Sequence, residues 1–267
     1  MIENQKNGVH YFQFGLFREY GRVQHAAFAR KGGVSPAPFA SLNMSLSVKD
    51  DEANVFSNRA KAFGLFGRTN ETLVHAHLEQ KKHVARVTSA QNGEYIKSDG
   101  LITNEAGCGL SMNYGDCAPI YIYDPVNHAI GLGHAGWRGA VLDLPGEMVR
   151  AMTREFGSDP ETLLAGVGPC IGVAVYEVGE VVITAVNDAF EEPETLLVKP
   201  PNGPTPGSDG SRPHFDLAEA NRRNLARAGV KQIELSGLCT AERTDLFFSH
   251  RAEKGKTGRF GTVLILE

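Results

Sequence analysis

Gly115-Asp116-Cys117-Ala118-Pro119, Ile120-Tyr121-Ile122-Tyr123, Asp124-Pro125-Val126-Asn127 and then residues 128–133 leading into His134-Ala135-Gly136-Trp137-Arg138-Gly139 form one continuous stretch. Its reading decides the fold. Proline presets φ and the flanking Asx side chains bond local backbone, so Asp124-Pro125-Val126-Asn127 is a turn between two antiparallel strands. A turn centred on Pro125-Val126 sets Tyr123 opposite His128 and, by the same count, Cys117 opposite His134. Directly opposed residues hold their β-carbons roughly 5 Å apart on one face of a sheet, within reach of a shared metal or a thiol-imidazole contact. A type I turn closed by a bulge at Asn127 instead shifts the register by one and sends the two side chains to opposite faces, unless a second bulge near the glycines restores it.

Outward from this hairpin, strand-like stretches occupy 9–14 and 23–29, and Gly32-Gly33 closes them. Asp50 or Asp51 suits the cap of a helix through Val55, Arg59, Ala62 and Phe66. Residues 83–88 alternate like a strand, with His83, Ala85 and Val87 on one side. Pro145 fits a first helical turn, Met148, Met152 and Phe156 recur every fourth residue, and Gly157 ends the run. Asp216 with Glu219 resembles a capping box, and Gly229 closes that helix. Strands return at 231–235, 246–250 and 260–266. Strands outnumber helices and several join as hairpins, which predicts an α+β fold with mixed or antiparallel sheet. The stretch 199–213, dense in proline, glycine and serine, is expected to be a surface loop, and the whole chain, 1–267, to form a single domain.

A formal charge of −4 with no sizeable basic cluster gives no nucleic-acid or anionic-membrane surface. Residues 1–30 lack both a basic start followed by an apolar run and any stretch near membrane-spanning length, so the protein is expected in the cytoplasm. The four cysteines, Cys108, Cys117, Cys170 and Cys239, have no paired spacing in a chain too large to need disulfides. Cys108, Cys170 and Cys239 read as buried packing residues. Cys117 stands apart, because it follows an acid and faces a histidine.

His83 is the third candidate to join Cys117 and His134. One thiolate with two imidazoles is a soft nitrogen-sulfur donor set that suits zinc and tolerates copper, and three protein ligands leave the open position of a catalytic site. His75 and His77 compete with His83 on chemical grounds alone. The glycines around Trp137 let backbone approach a ligand, and Arg138 is suited to hold an anion by forked hydrogen bonds. The bland alternatives are an arginine stacked on an aromatic ring and a tryptophan covering the core.

Blocks running the length of the chain carry a resemblance. They include Arg30-Lys31-Gly32-Gly33-Val34-Ser35, Ser41-Leu42-Asn43, Asn58-Arg59, Asp99-Gly100-Leu101-Ile102-Thr103, Gly115-Asp116-Cys117-Ala118-Pro119, His134-Ala135-Gly136-Trp137-Arg138-Gly139, Gly168-Pro169-Cys170-Ile171-Gly172, Tyr176-Glu177-Val178, Leu238-Cys239-Thr240 and Thr257-Gly258-Arg259. In these the sequence resembles the YfiH/YlmD family of laccase-domain proteins, once called multicopper polyphenol oxidases and now treated as purine nucleoside phosphorylases with adenosine deaminase activity. The resemblance implies a layered α-β-β-α sandwich of mixed sheets flanked by helices. It implies zinc ligands at Cys117, His134 and His83, the last in a block, Gln80-Lys81-Lys82-His83-Val84, whose glutamine is shifted and whose glycine is missing. His250 stands where the family usually has tyrosine.

The implied substrates are adenosine, inosine, methylthioadenosine and phosphate. Zinc would acidify water for deamination at purine C6, with Asp116 shuttling the proton beside Cys117 and His134. Phosphorolysis needs an anion site and stabilisation of a cationic ribosyl group, for which Arg30, Arg59 and Arg138 are candidates and Asn43 a ribose contact. Two enzyme alternatives remain open. A copper oxidase would draw on nearly all of the nine histidines, His10 and His214 included, although only His75-Ala76-His77 forms a His-x-His pair. A thiol hydrolase would use Cys117 as a nucleophile activated by His134. A non-catalytic zinc staple needs a fourth ligand, and none is evident.

Overall fold

A computed structural model describes residues 1–199 and 212–267. The strands are β1 (Ile2–Lys6), β2 (Val9–Gln13), β3 (Val23–Phe28), β4 (Leu73–His77), β5 (Val84–Arg86), β6 (Tyr95–Lys97), β7 (Gly100–Thr103), β8 (Gly109–Tyr114), β9 (Ala118–Asp124), β10 (Ala129–Ala135), β11 (Leu164–Val167), β12 (Leu197–Val198), β13 (His214–Phe215), β14 (Gln232–Leu235) and β15 (Phe260–Leu266). The helices are α1 (Gly15–Arg18), α2 (Glu52–Gly64), α3 (Trp137–Val141), α4 (Leu144–Phe156), α5 (Glu180–Ala189) and α6 (Leu217–Arg227). One sheet has the order β1-β2-β3-β15-β8-β4-β6 and the other β14-β11-β9-β10-β7-β5, with β12-β13 a small ribbon. Both large sheets are mixed. Parallel pairing joins β4 to β6 and β8, β5 to β7, and β11 to β14, and the remaining ladders are antiparallel.

Strand alternation sorts the apolar side chains into three layers. Leu264 and Leu266 of β15, Leu110 and Met112 of β8, Tyr121 and Tyr123 of β9, and Ile130 and Leu132 of β10 meet between the sheets. Val263 and Ile265 point outward to Ala62 and Phe63 of α2. Ile120, Ile122 and Ala129 face the opposite way, to Met148 and Met152 of α4 and Leu225 of α6. The result is helix, sheet, sheet, helix, the arrangement the resemblance implies. Among the described residues, no helix is long and apolar enough to cross a membrane.

Local chemistry fixes the main elements. Asp51 caps α2 by accepting from Ala53 N at 2.8 Å. The buried positions 55, 58, 59, 62 and 63 of that helix fall on one face. Pro145 lies in the first turn of α4 and Gly157, with φ +71°, ends it in the left-handed region. Gly131 and Gly133 let α4 settle onto β10, since a β-carbon at Gly133 would stand 2.4 Å from Met148 Sδ.

Three sequence expectations change. Between β9 and β10 the loop comprises residues 125–128, so Tyr123 pairs with Ile130 and Pro119 with His134. The cause is Asp124, whose carboxylate accepts from Val126 N, Asn127 N and Asn127 Nδ2, while His128 turns the chain at φ +50°. A shift of two residues keeps each side chain on its face, so Cys117 and His134 are diagonal neighbours rather than opposed. Second, 246–250 is not a strand: Leu246 N and Phe247 N both donate to Arg243 O in a turn, and Phe247 and Phe248 enter the inter-sheet core together. Third, α5 has no counterpart in the sequence reading. The loop expected at 199–213 falls almost entirely on residues outside the described ones.

Candidate active site

Cys117 and His134 open onto one cleft at the edge of the inter-sheet layer. The cleft has a cavity volume of about 130 Å³ and is lined by both residues, by Gln80 and Lys81, and by Gly136, Trp137, Arg138 and Gly139. Gly136 is required here by close approach, because a β-carbon on it would come within 2.7 Å of Cys117 Sγ.

The sheet register places two further residues in line with His134. Val84 pairs with Gly100 and Gly100 with Gly133, so the adjacent residues His83, Asp99 and His134 form a row across β5, β7 and β10. Backbone bonds confirm it: His134 N donates to Asp99 O at 2.8 Å, and Asp99 N to His83 O at 3.0 Å. The buried Asp99 carboxylate accepts from Glu79 N, Gln80 N and Lys81 N at 3.1, 2.8 and 2.7 Å, which pins the loop that brings Gln80 and Lys81 to the cleft.

His83 is exposed, and its Nδ1 meets Lys97 O at 3.0 Å. Its Nε2 is thereby the nitrogen left for a ligand. The competing histidines lie on the other sheet: His75 is buried against Tyr95 with Nε2 on Asn70 O, and His77 is exposed. Of the three, only His83 shares the row of His134. Even so, among the described residues no three His, Cys, Asp or Glu side chains stand together as a metal-holding group. The donor types fit zinc; Cys117 and His134 converge, and the His83 ring is turned to Lys97.

Burial is the main influence on both cleft groups. It pushes the Cys117 thiol up to about 12, reinforced by the Asp116 charge and opposed by Arg259. Burial pulls His134 down to about 4, opposed by Asp99. Near neutral pH the pair is a neutral thiol beside a neutral imidazole, not the thiolate-imidazolium pair on which cysteine hydrolases rely. A neutral imidazole is the form that binds metals.

The remaining predicted residues divide sharply. Arg138 lines the cleft, stacks on Trp137 at 4.3 Å and donates to Gln80 Oε1 at 3.3 Å. Arg30 is engaged elsewhere, with Ala40 O, Thr244 O and Glu253, and packs over Phe248. Arg59 is fully buried and donates to Met44 O, Asn70 Oδ1 and the Tyr95 hydroxyl. The Asn43 amide donates to Ser45 O and Asp50 and accepts from Ser45 N and Arg259 N, so all its positions are occupied within the fold. In this arrangement the three make their hydrogen bonds within the fold. The carboxylate of Asp116 accepts from Thr240 Oγ1 at 2.6 Å and Arg251 N at 2.7 Å, and its backbone takes φ +88°. It fastens two distant loops beside Cys117. Arg259 went unrecognised by residue chemistry; its pairing opposite Gly115 depends on β8 and β15, which lie far apart in sequence.

The remaining histidines are dispersed rather than gathered into an imidazole-rich cluster. His25 sits in an aromatic cage of Phe14, Phe17 and Tyr121, His10 meets Glu3, and buried His214 meets Val173 O.

The α-β-β-α sandwich has the YfiH-like fold, by its likeness to solved structures. The chain belongs to the YfiH/YlmD family, whose family model, described as "Multi-copper polyphenol oxidoreductase laccase", matches residues 24–267. Purine nucleoside phosphorylase YlmD of Bacillus subtilis is 36% identical over 247 residues, covering 88% of this chain and 85% of its own. Purine nucleoside phosphorylase of Deinococcus radiodurans is 36% identical over 242 residues, covering 91% and 88%. The crystal structure of Bacillus licheniformis hypothetical protein YfiH superposes with a TM-score of 0.89 at 30% identity, covering 99% of both chains. That of YlmD from Geobacillus stearothermophilus gives 0.86 at 32% identity, covering 100% of this chain and 99% of the other.

Proposed function

We propose that this chain is a purine nucleoside phosphorylase working in the Cys117-His134 cleft, with adenosine, inosine and methylthioadenosine as substrates and adenosine deamination as a second activity. The observation that carries the reading is the likeness, over 88% of the chain, to a Bacillus subtilis protein named as a purine nucleoside phosphorylase. The cleft supports it by its polar lip of Gln80, Lys81 and Arg138. In phosphorolysis a phosphate oxygen bonds to the ribose C1′ as the bond from C1′ to the purine nitrogen breaks, and the purine takes up the electron pair and a proton. Products are the free base and ribose 1-phosphate or methylthioribose 1-phosphate. Arg138 supplies forked donors at the mouth. Trp137 and Gly136 wall the cleft and limit water.

Zinc is the metal we assign to Cys117, His134 and His83, because thiolate and imidazole donors suit it, and a ligating imidazole characteristically gives its other nitrogen to a carbonyl, as His83 does to Lys97 O. Bound there, zinc would supply acidified water for deamination at neutral pH.

Chromatography of purified protein with inosine tests the reading: hypoxanthine is expected only when phosphate is present, and phosphate-independent release overturns phosphorolysis. Adenosine incubated without phosphate is expected to give inosine; unchanged adenosine removes the deaminase activity. Metal analysis is expected to find zinc in the wild type and its loss in Cys117→Ala, and full retention of zinc in that variant overturns the ligand assignment.

A further inference from the structure

We infer that Arg259 is the residue that holds the phosphate co-substrate beside Cys117, an inference that rests on the phosphorylase reading. Arg259 precedes β15 and, one step beyond the Phe260–Tyr114 pair, lies opposite Gly115. A β-carbon on Gly115 would stand 2.8 Å from Arg259 Cδ, 3.1 Å from Nε and 3.4 Å from Cζ, so the arginine side chain lies along the bare face of a residue two positions from Cys117. Its charge acts on both Cys117 and His134.

Like the buried Arg59, Arg259 makes no hydrogen bond to a carboxylate among the described residues, but Arg259 lies close enough for its charge to act on Cys117. Arg259 is half-buried, and burial disfavours its charge. A desolvated guanidinium ordinarily requires a carboxylate partner. The two carboxylates that act on it, Asp116 and Glu253, are both bonded elsewhere. Asp116 accepts from Thr240 Oγ1 and Arg251 N, and Glu253 from Arg30 Nη1, Ser249 N and Thr257 Oγ1. Arg259 itself donates only to neutral groups among the described residues: Nη1 to Thr257 O and Gly258 O, and Nη2 to His250 Nδ1 at 3.3 Å. Those contacts leave Nε–H and one Nη2 proton of Arg259 without a hydrogen bond among the described residues, behind the Cys117 wall of the cleft rather than in its lining; a guanidinium edge of this kind engages an oxyanion in two parallel hydrogen bonds.

Wild-type protein is treated with phenylglyoxal with and without inorganic phosphate, and modified arginines are located by mass spectrometry. Phosphate is expected to protect Arg259 by about fivefold or more, while the exposed Arg154 reacts equally in both. Protection confined to Arg138, or none at all, overturns the inference. In inosine kinetics, Arg259→Lys, which loses the fork, and Gly115→Ala, which displaces it, are each expected to raise the phosphate KM about tenfold or more with the inosine KM within about twofold. An unchanged phosphate KM in both variants overturns it. Were the wild type to release no base with phosphate, the phosphorylase reading would fail, and the protection map on intact protein would still decide whether Arg259 holds an anion.

Discussion

The ring of Tyr114, on β8 of one sheet, stacks on the imidazole of His134, on β10 of the other, with centroids 5.1 Å apart and planes 20° apart. The Tyr114 hydroxyl donates to Gly133 O at 2.8 Å. The plane of the cleft histidine is therefore set from across the core, and core packing and site geometry are one contact.

Tyr114→Phe keeps the stack and removes the hydroxyl, so it is expected to lower stability by about 1–2 kcal/mol with turnover little changed. Tyr114→Ala leaves a cavity and frees the imidazole; a loss of about 3–5 kcal/mol accompanies a clear fall in activity. Urea unfolding and steady-state rates check both. Full activity in the alanine variant would show that the stack does not position His134.

Gly133→Ala tests the tight seat of α4. The new β-carbon would overlap Met148 Sδ, and a destabilisation of about 1–3 kcal/mol is expected. Met148→Val in the same chain should return part of it, which a double-mutant cycle of unfolding free energies measures. No coupling between the two substitutions would contradict the packing described.

Local pattern made much of this legible. The caps of α2 and α4, the strand at 260–266 and the hairpin were all readable, because each depends on residues close together in sequence. The register slipped by two because Asp124 captures three turn donors, which residue propensities do not rank against a shorter turn. Arg30, Arg59 and Asn43 read as ligand contacts because their side chains suit anions and ribose hydroxyls. In the fold their hydrogen bonds go to protein partners, some of them distant, and Arg30 reaches Glu253 across 223 positions. Arg259, quoted only within the Thr257-Gly258-Arg259 block, carried no role in the sequence, because its place opposite Gly115 depends on the pairing of β8 with β15, far apart in the chain.

Asp116→Asn discriminates a loop fastener from a proton shuttle. Weakening its bonds to Thr240 and Arg251 is expected to lower stability by about 1–3 kcal/mol while the shape of the pH-rate profile persists. Unchanged stability with one limb of that profile abolished would assign Asp116 to proton transfer.

Acid should weaken the fold before ordinary carboxylates titrate. His25, His75 and His134 are lowered from 6.5 to about 3, 4 and 4, chiefly by burial. Below pH 6.5 the unfolded chain therefore binds protons that the folded chain refuses. Their stabilising effect is complete above that pH and declines as pH falls toward 4, each group contributing up to about 1.4 kcal/mol per pH unit. Urea midpoints at pH 5 are expected below those at pH 7. Equal midpoints would contradict neutral burial of these imidazoles.

The most direct test of the central claim is phosphorus NMR of the protein incubated with inosine and inorganic phosphate. A ribose 1-phosphate resonance is predicted to grow with wild-type protein and to slow by about 100-fold or more in both Cys117→Ala and His134→Ala. No sugar phosphate from the wild type, or undiminished rates in both variants, would contradict phosphorolysis in this cleft.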